Sequence, residues 1–143
     1  GTSAVSEALY HAALVERARS AFGKGRLPIA TGSATVDNPL CGDRVTLDLA
    51  VKDGHIEAIA HHVRGCLLCE AAAATIAEFC RGGSQAELDA ISQAARRLMA
   101  EGGDLEPRWQ CLEIFRPVHG AKSRRDCVLL PFEALKRAAS AGH

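Results

Sequence analysis

The sequence predicts an α+β domain, with a three-stranded antiparallel sheet and about four to five helices packed mainly on one face of it. Two observations support this. Between residues 34 and 63, apolar and polar residues alternate with the period of a half-buried strand. Before and after that region, apolar residues recur with the spacing of a helix. Because the strands come in one stretch and most helices follow, a sheet covered on one face is the expected architecture.

The first helix is expected over residues 6–22, and two glycines and Pro28 then end it. Three strands follow, over residues 34–37, 44–51 and 56–63. Asp53 and Gly54 separate the second strand from the third, and an Asp-Gly pair in this setting is typical of a tight hairpin turn. The three strands should therefore pair in chain order.

The rest of the chain is predicted to be mostly helical, over residues 66–81, 84–100 and 107–114 and in a final helix. The first of these is apolar almost all round, which indicates a buried helix. The next has a capping-type start at Ser84. A loop is expected over residues 116–123. Because proline fits only the first turn of a helix, Pro131 places the start of the final helix near Leu129 or Leu130, with Cys127 just ahead of it.

Length and charge limit the class of protein. Residues 1–143 fit a single domain, and 17 Lys and Arg balance 17 Asp and Glu. This balance argues against a nucleic-acid partner, which needs an excess of basic residues. No apolar run reaches the ~20 residues of a membrane span, and no signal peptide is visible, so we expect a cytoplasmic protein with reduced thiols.

Three cysteines and one carboxylate form the candidate site. Cys41 and Asp43 flank the start of the second strand, and Cys66 follows the end of the third. Antiparallel pairing brings these two strand ends to one corner of the sheet. Cys127 joins them if the last helix packs its start there. Thiolates and a carboxylate can bind a metal ion. The alternative is that the cysteines are small buried apolar residues.

Three segments carry a resemblance to a known family. Residues 38–44 (NPLCGDR), 65–66 (GC) and 124–131 (RRDCVLLP) resemble, in this order, the cysteine motifs of the U-type iron–sulfur scaffold family. That family comprises SufU, IscU and the N-terminal domain of NifU. The resemblance extends over about residues 10–136 and is greatest to the SufU branch. It implies a small antiparallel sheet with helices packed on it.

The resemblance also implies a function and a site. Members of this family are scaffolds rather than enzymes: they accept sulfur from a cysteine desulfurase, hold zinc or a [2Fe–2S] cluster at one site, and supply clusters to apo-protein recipients. By motif, Cys41, Asp43, Cys66 and Cys127 are the implied ligands, and Cys127 is the implied sulfur acceptor. Arg124 matches a SufU-branch arginine and is a candidate for activating that thiol.

Departures from the family pattern keep an alternative open. Asp126 stands where the family has His or Lys, and a carboxylate beside Cys127 should raise the pKa of that thiol. Cys66 and Cys69 form a Cys-x-x-Cys pair, which suggests a dithiol oxidoreductase as the alternative. A zinc-dependent enzyme with an open coordination position is the other catalytic alternative. Otherwise Cys69 is a core residue or a spare thiol. Cys80 and Cys111 are interpreted as structural residues, and His61 and His62 as surface or edge residues.

Overall fold

The structure, a computed structural model, describes residues 4–20 and 22–141. It has the α+β architecture that the sequence predicts. The elements in chain order are α1 (Ala4–Arg19), β1 (Gly32–Asn38), β2 (Asp43–Lys52), β3 (His55–Arg64), α2 (Leu67–Phe79), α3 (Gln85–Glu101), a 3-10 helix (Pro107–Gly120) and α4 (Lys122–Ala141).

The sheet is antiparallel in the order β1-β2-β3, so β2 is its central strand. Asp53 and Gly54 have φ angles of 53° and 77°, which is the left-handed backbone of the tight turn expected from an Asp-Gly pair. Three alternating apolar residues of β2, Val45, Leu47 and Leu49, are fully buried on one face, whereas Val51 near the end of the strand is 40% exposed. At the opposite end from the turn, Arg44 pairs with Arg64, so the start of β2 lies beside the end of β3.

The helices cover the apolar face of the sheet. α4 packs on β1 and β2, α2 packs on β3, and α1 packs outside α2. A hydrogen bond of 2.7 Å from Arg17 Nη1 to Thr75 Oγ1 joins α1 to α2. The interior of α2 is buried as predicted. Phe79, at its end, is 47% exposed. Among the described residues, no helix is long and apolar enough to cross a membrane.

The chain that follows α1 covers the free edge of β3 and buries His61. The Gly25 amide donates to the His61 carbonyl at 2.7 Å, and the His61 amide donates to the Gly23 carbonyl at 2.8 Å. The His61 side chain is 2% exposed, and its Nε2 lies 2.6 Å from the Phe22 carbonyl oxygen. Its interpretation as a surface or edge histidine was therefore wrong, whereas His62 is exposed as expected.

The last third of the chain differs most from the prediction. The 3-10 helix continues to Gly120 and α4 begins at Lys122, so the loop expected over residues 116–123 is largely helical. The prediction that α4 begins near Leu129 or Leu130 was wrong, because Pro131 lies inside it. A proline in a helix removes one main-chain donor, the one that would bond the carbonyl four residues earlier. In α4 that carbonyl belongs to Cys127.

Candidate metal centre

Four elements meet at the corner of the sheet opposite the hairpin turn. Asp43 is the first residue of β2, and Cys41 lies in the turn just before it. Cys66 follows β3 and is the residue that caps the start of α2. Cys127 lies in the second turn of α4, which packs on β1 and β2. The fold thus gathers side chains from three distant segments at one point.

The donor atoms form two overlapping groups. In one group, the sulfurs of Cys41 and Cys127 and a carboxylate oxygen of Asp43 all lie within 4.8 Å of one another. In the other, the same limit holds for Asp43, Cys66 and Cys69. Asp43 belongs to both groups and lies at their centre. Asp43, Cys69 and Cys127 are buried, while Cys41 and Cys66 are exposed, so the cluster has a closed inner side and an open outer side.

The Asp43 carboxylate is surrounded by thiols. Burial acts to raise its pKa, but hydrogen bonding from Cys69, Cys127, Cys66 and Cys41 outweighs burial and lowers it. The hydrogen bond from Cys69 Sγ to Asp43 Oδ2 is 3.1 Å long. A buried carboxylate that stays ionised among thiols is a preformed ligand for a cation.

Gly65 makes room for this carboxylate. A Cβ atom at residue 65 would lie 2.8 Å from Asp43 Cγ and 3.0 Å from Asp43 Oδ1, which is closer than non-bonded atoms approach. The motif Gly65-Cys66 was found from sequence, but the steric reason for a glycine at residue 65 was not. Only the packing of the β3 end against the β2 start reveals it.

Cys66 has an acidic thiol. Its pKa is lowered to about 6, first by a hydrogen bond with the Cys69 thiol and then, against the opposing effect of burial, by the main-chain amide of Cys69, the Cys127 thiol and the main-chain amide of Leu68. The two amides belong to the first turn of α2, where they lack partners within the helix.

This acidity predicts the order of alkylation in metal-free protein. A thiol with a pKa of about 6 is mostly thiolate at pH 7, so Cys66 should react with iodoacetamide well before Cys80 or Cys127. Its rate should fall about tenfold per unit as the pH drops below 6. Peptide mass spectrometry after timed alkylation measures this. A Cys66 rate that keeps rising up to pH 9 would contradict the assignment.

Cys127 has the opposite electrostatic character. Its pKa is raised by burial, then by a hydrogen bond with Cys66 and by the negative charges of Cys66, Cys41 and Asp43. Asp126 is not among these causes, although the sequence suggested it. Cys127 was expected just ahead of the helix start. It is instead the sixth residue of α4, so its amide is not one of the free amides at that start.

The two remaining cysteines lie outside the cluster. Cys80 ends α2 and is buried, and Cys111 is half-buried in the 3-10 helix. Burial raises the pKa of Cys80 to about 12 and that of Cys111 to about 11. Both are free thiols outside the cluster, so variants of them are suitable controls for the loss of a sulfur.

A cleft of about 700 Å³ leads to the cluster. Its walls come from α1, the start of α2, the end of the 3-10 helix and the start of α4, and Cys41, Cys66 and Cys127 lie on it. The exposed Arg124 lines the same cleft, one turn of α4 before Cys127. Neither this cleft nor its α1 residues, such as Tyr10, could be predicted, because no local pattern in the sequence links α1 to α4.

Comparison with known proteins places the chain in a family. Residues 10–141 match the family described as "NifU-like N terminal domain". The iron-sulfur cluster assembly scaffold protein IscU of Thermotoga maritima is 25% identical over 134 residues, which is 94% of each chain.

Solved structures agree with this match. The crystal structure of a NifU-like protein (N-terminal) from Brucella abortus has a TM-score of 0.84 and 32% identity over 90% of each chain. A putative iron-sulfur cluster assembly scaffold protein for the SUF system from Fervidobacterium islandicum has a TM-score of 0.81 and covers 87% of this chain and 92% of its own. At 22% identity, this second likeness shows the fold alone.

Proposed function

Because the chain belongs to the family of NifU-like N-terminal domains, we propose that it is a scaffold for iron–sulfur cluster assembly. The observation that carries the proposal is the arrangement around Asp43, whose buried carboxylate lies within 4.8 Å of thiols from three separate segments. The IscU relative from Thermotoga maritima is named as a scaffold protein, so the chain is assigned as a scaffold and not as an enzyme.

We assign Cys41, Asp43, Cys66 and Cys127 as the ligands. Three thiolates and one carboxylate match the preference of iron–sulfur clusters and of zinc for sulfur-rich sites with four donors. A [2Fe–2S] cluster is the proposed cargo, and zinc is an alternative occupant of the same donors. A bound cation would displace the thiol protons and hold the sulfurs as thiolates.

Sulfur is proposed to arrive through the cleft at Cys127. In this step Cys127, whose pKa is raised in the metal-free protein, first gives its proton to solvent. Its thiolate then attacks the terminal sulfur of a persulfide on a cysteine desulfurase, a new S–S bond forms on Cys127, and the desulfurase thiolate leaves. Arg124 lines the same cleft and supplies a positive charge near the incoming anionic persulfide. A persulfide on Cys127 would lie beside the other proposed ligands.

The carboxylate suits a site that releases its cargo. Asp43 is a harder ligand than a thiolate and binds iron and zinc less strongly, so its bond is the one most readily exchanged. Cys41 and Cys66 are on the open side of the cluster, where the thiols of an apo-protein recipient can approach. We infer that transfer to recipients proceeds from this side.

A transfer assay tests the proposed function. The protein is incubated without oxygen with iron(II), cysteine, a cysteine desulfurase and dithiothreitol, which reduces persulfide sulfur to sulfide. It is then desalted and mixed with an apo-ferredoxin. The scaffold role predicts visible absorption of a [2Fe–2S] cluster on this chain and then its appearance on the ferredoxin. The Cys111→Ser variant should behave like wild type. A wild-type chain that acquires neither iron nor sulfide under these conditions contradicts the role.

A further inference from the structure

Cys69 is a buried residue whose thiol forms hydrogen bonds with the proposed ligand cluster. Its side chain is fully buried, and its Sγ lies 3.1 Å from Asp43 Oδ2 and 3.1 Å from the main-chain carbonyl oxygen of Cys127. It also lies within 4.8 Å of the Cys66 sulfur. One thiol therefore contacts two of the four residues that the proposed function assigns as ligands and lies close to a third.

Pro131 leaves the Cys127 carbonyl without its usual helical donor. In a regular helix, the amide four residues after Cys127 would bond the Cys127 carbonyl, but residue 131 is a proline and has no N–H. A buried carbonyl without a donor costs about 1–3 kcal/mol. Cys69, from the first turn of α2, lies where the missing donor would be needed.

We propose that Cys69 is a positioning residue of the metal centre, whose thiol hydrogen bonds hold the Asp43 carboxylate and the Cys127 segment of α4 against the start of α2. This inference rests on the proposed function for the identity of the ligands. The single S–H hydrogen is shared between, or alternates among, its acceptors, so the thiol links β2, α2 and α4 without binding the metal. Partners of this kind typically change metal affinity by about 10–100-fold.

Two variants of Cys69 distinguish a positioning residue from a metal ligand. Cys69→Ala removes the donor, and Cys69→Ser keeps a donor of similar size. Cobalt(II), which reports sulfur ligands through its charge-transfer absorption, serves as the probe. The proposal predicts that Cys69→Ala weakens cobalt binding by about 10–100-fold and that Cys69→Ser restores it to within about 3-fold of wild type. The absorption per bound cobalt should be unchanged in both variants.

Cys80→Ala is the matched control for the loss of a buried sulfur. It also lies in the α2 region and is buried, but it is outside the ligand cluster. It should leave cobalt affinity unchanged. An unchanged affinity in Cys69→Ala overturns the proposal. Equal losses in Cys69→Ala and Cys69→Ser, with weaker charge-transfer absorption in both, also overturn it, because Cys69 would then be a ligand itself.

Pro131→Ala tests the link to the Cys127 carbonyl. This variant returns a main-chain donor to that carbonyl, so the Cys69 contact becomes partly redundant. The loss caused by Cys69→Ala should fall to about 3-fold in the Pro131→Ala background. A loss of the same size in both backgrounds contradicts the proposed role of the Cys127 carbonyl.

A metal-free readout keeps this inference separate from the proposed function. If wild-type protein binds no cobalt, the proposed ligand assignment fails, whereas the positioning of Cys127 is still measured by its alkylation rate. Cys69→Ala should speed alkylation of Cys127 several-fold because the segment loosens, and Cys69→Ser should not. Equal rates in wild type and both variants overturn the inference whatever the cobalt result.

Discussion

Replacing Cys66 by serine is expected to weaken zinc binding by at least about 100-fold. Structural zinc sites bind with about 10–16 kcal/mol, so one of four ligands accounts for roughly 3 kcal/mol, which is about 100-fold in affinity. The expected loss is large because Cys66 is the thiol that is already ionised near neutral pH in the metal-free protein. A competition titration against a chelator of known affinity measures the change.

The matched control for this experiment is Cys111→Ser. Cys111 is a half-buried thiol outside the cluster, so its loss should change zinc affinity by less than about 2-fold. Circular dichroism of both variants shows whether the fold is kept. If Cys66→Ser binds zinc as tightly as wild type while folded, Cys66 is not a ligand and the assigned set is wrong.

Gly65→Ala is expected to weaken zinc binding by up to about 100-fold without removing any ligand. The new methyl group would lie 2.8 Å from Asp43 Cγ, so the carboxylate must move away from the thiols. Because Gly65 is exposed, the free energy of unfolding of the metal-free protein should change far less than the zinc affinity.

The effect of Gly65→Ala should depend on Asp43. In an Asp43→Ala background the carboxylate is absent, and the further loss from Gly65→Ala should be small. Gly120→Ala is the control, because a Cβ at residue 120 has nothing within 4 Å, and it should bind zinc normally. Equal losses from Gly65→Ala with and without the carboxylate would show that the methyl group acts through some other contact.

The sheet and the helices next to it could be predicted because their signals are local. Alternation in β2 and β3 and the Asp53-Gly54 turn fix the pairing of these strands within a few residues. Ser84 caps α3 as expected, and its Oγ accepts a hydrogen bond from the Glu87 amide at 3.3 Å. These features depend on neighbours in sequence, which a single chain displays.

The start of α4 could not be predicted in the same way. Pro131 indicates a helix start when only its own turn is considered. The helix instead continues through it, with the carbonyl that the proline leaves free accepting a hydrogen bond from Cys69, which is 58 residues away from Cys127. A contact between α2 and α4 thus replaces the hydrogen bond that Pro131 removes. The preference of proline for the first turn of a helix says nothing about such a distant contact.

The candidate site could also be predicted only in part. The cysteine segments and Asp43 were found from sequence because their motifs and strand ends are visible there. The cleft, the space beside Gly65 and the acceptors of Cys69 arise only when α1 and α4 pack against α2. The burial of His61 has the same origin, since it follows from a loop that pairs with the edge of β3.

The central claim is that residues from three distant segments form one metal or cluster site. The most direct measurement is the zinc, iron and acid-labile sulfide content of protein purified without oxygen, for wild type, Cys41→Ser, Cys127→Ser and Cys111→Ser. We predict about one zinc ion, or iron with sulfide, per chain in wild type and Cys111→Ser, and its loss in both other variants. Metal retained in full by folded Cys41→Ser or Cys127→Ser, or wild-type protein that stays metal-free with six free thiols after incubation with zinc, would contradict the claim.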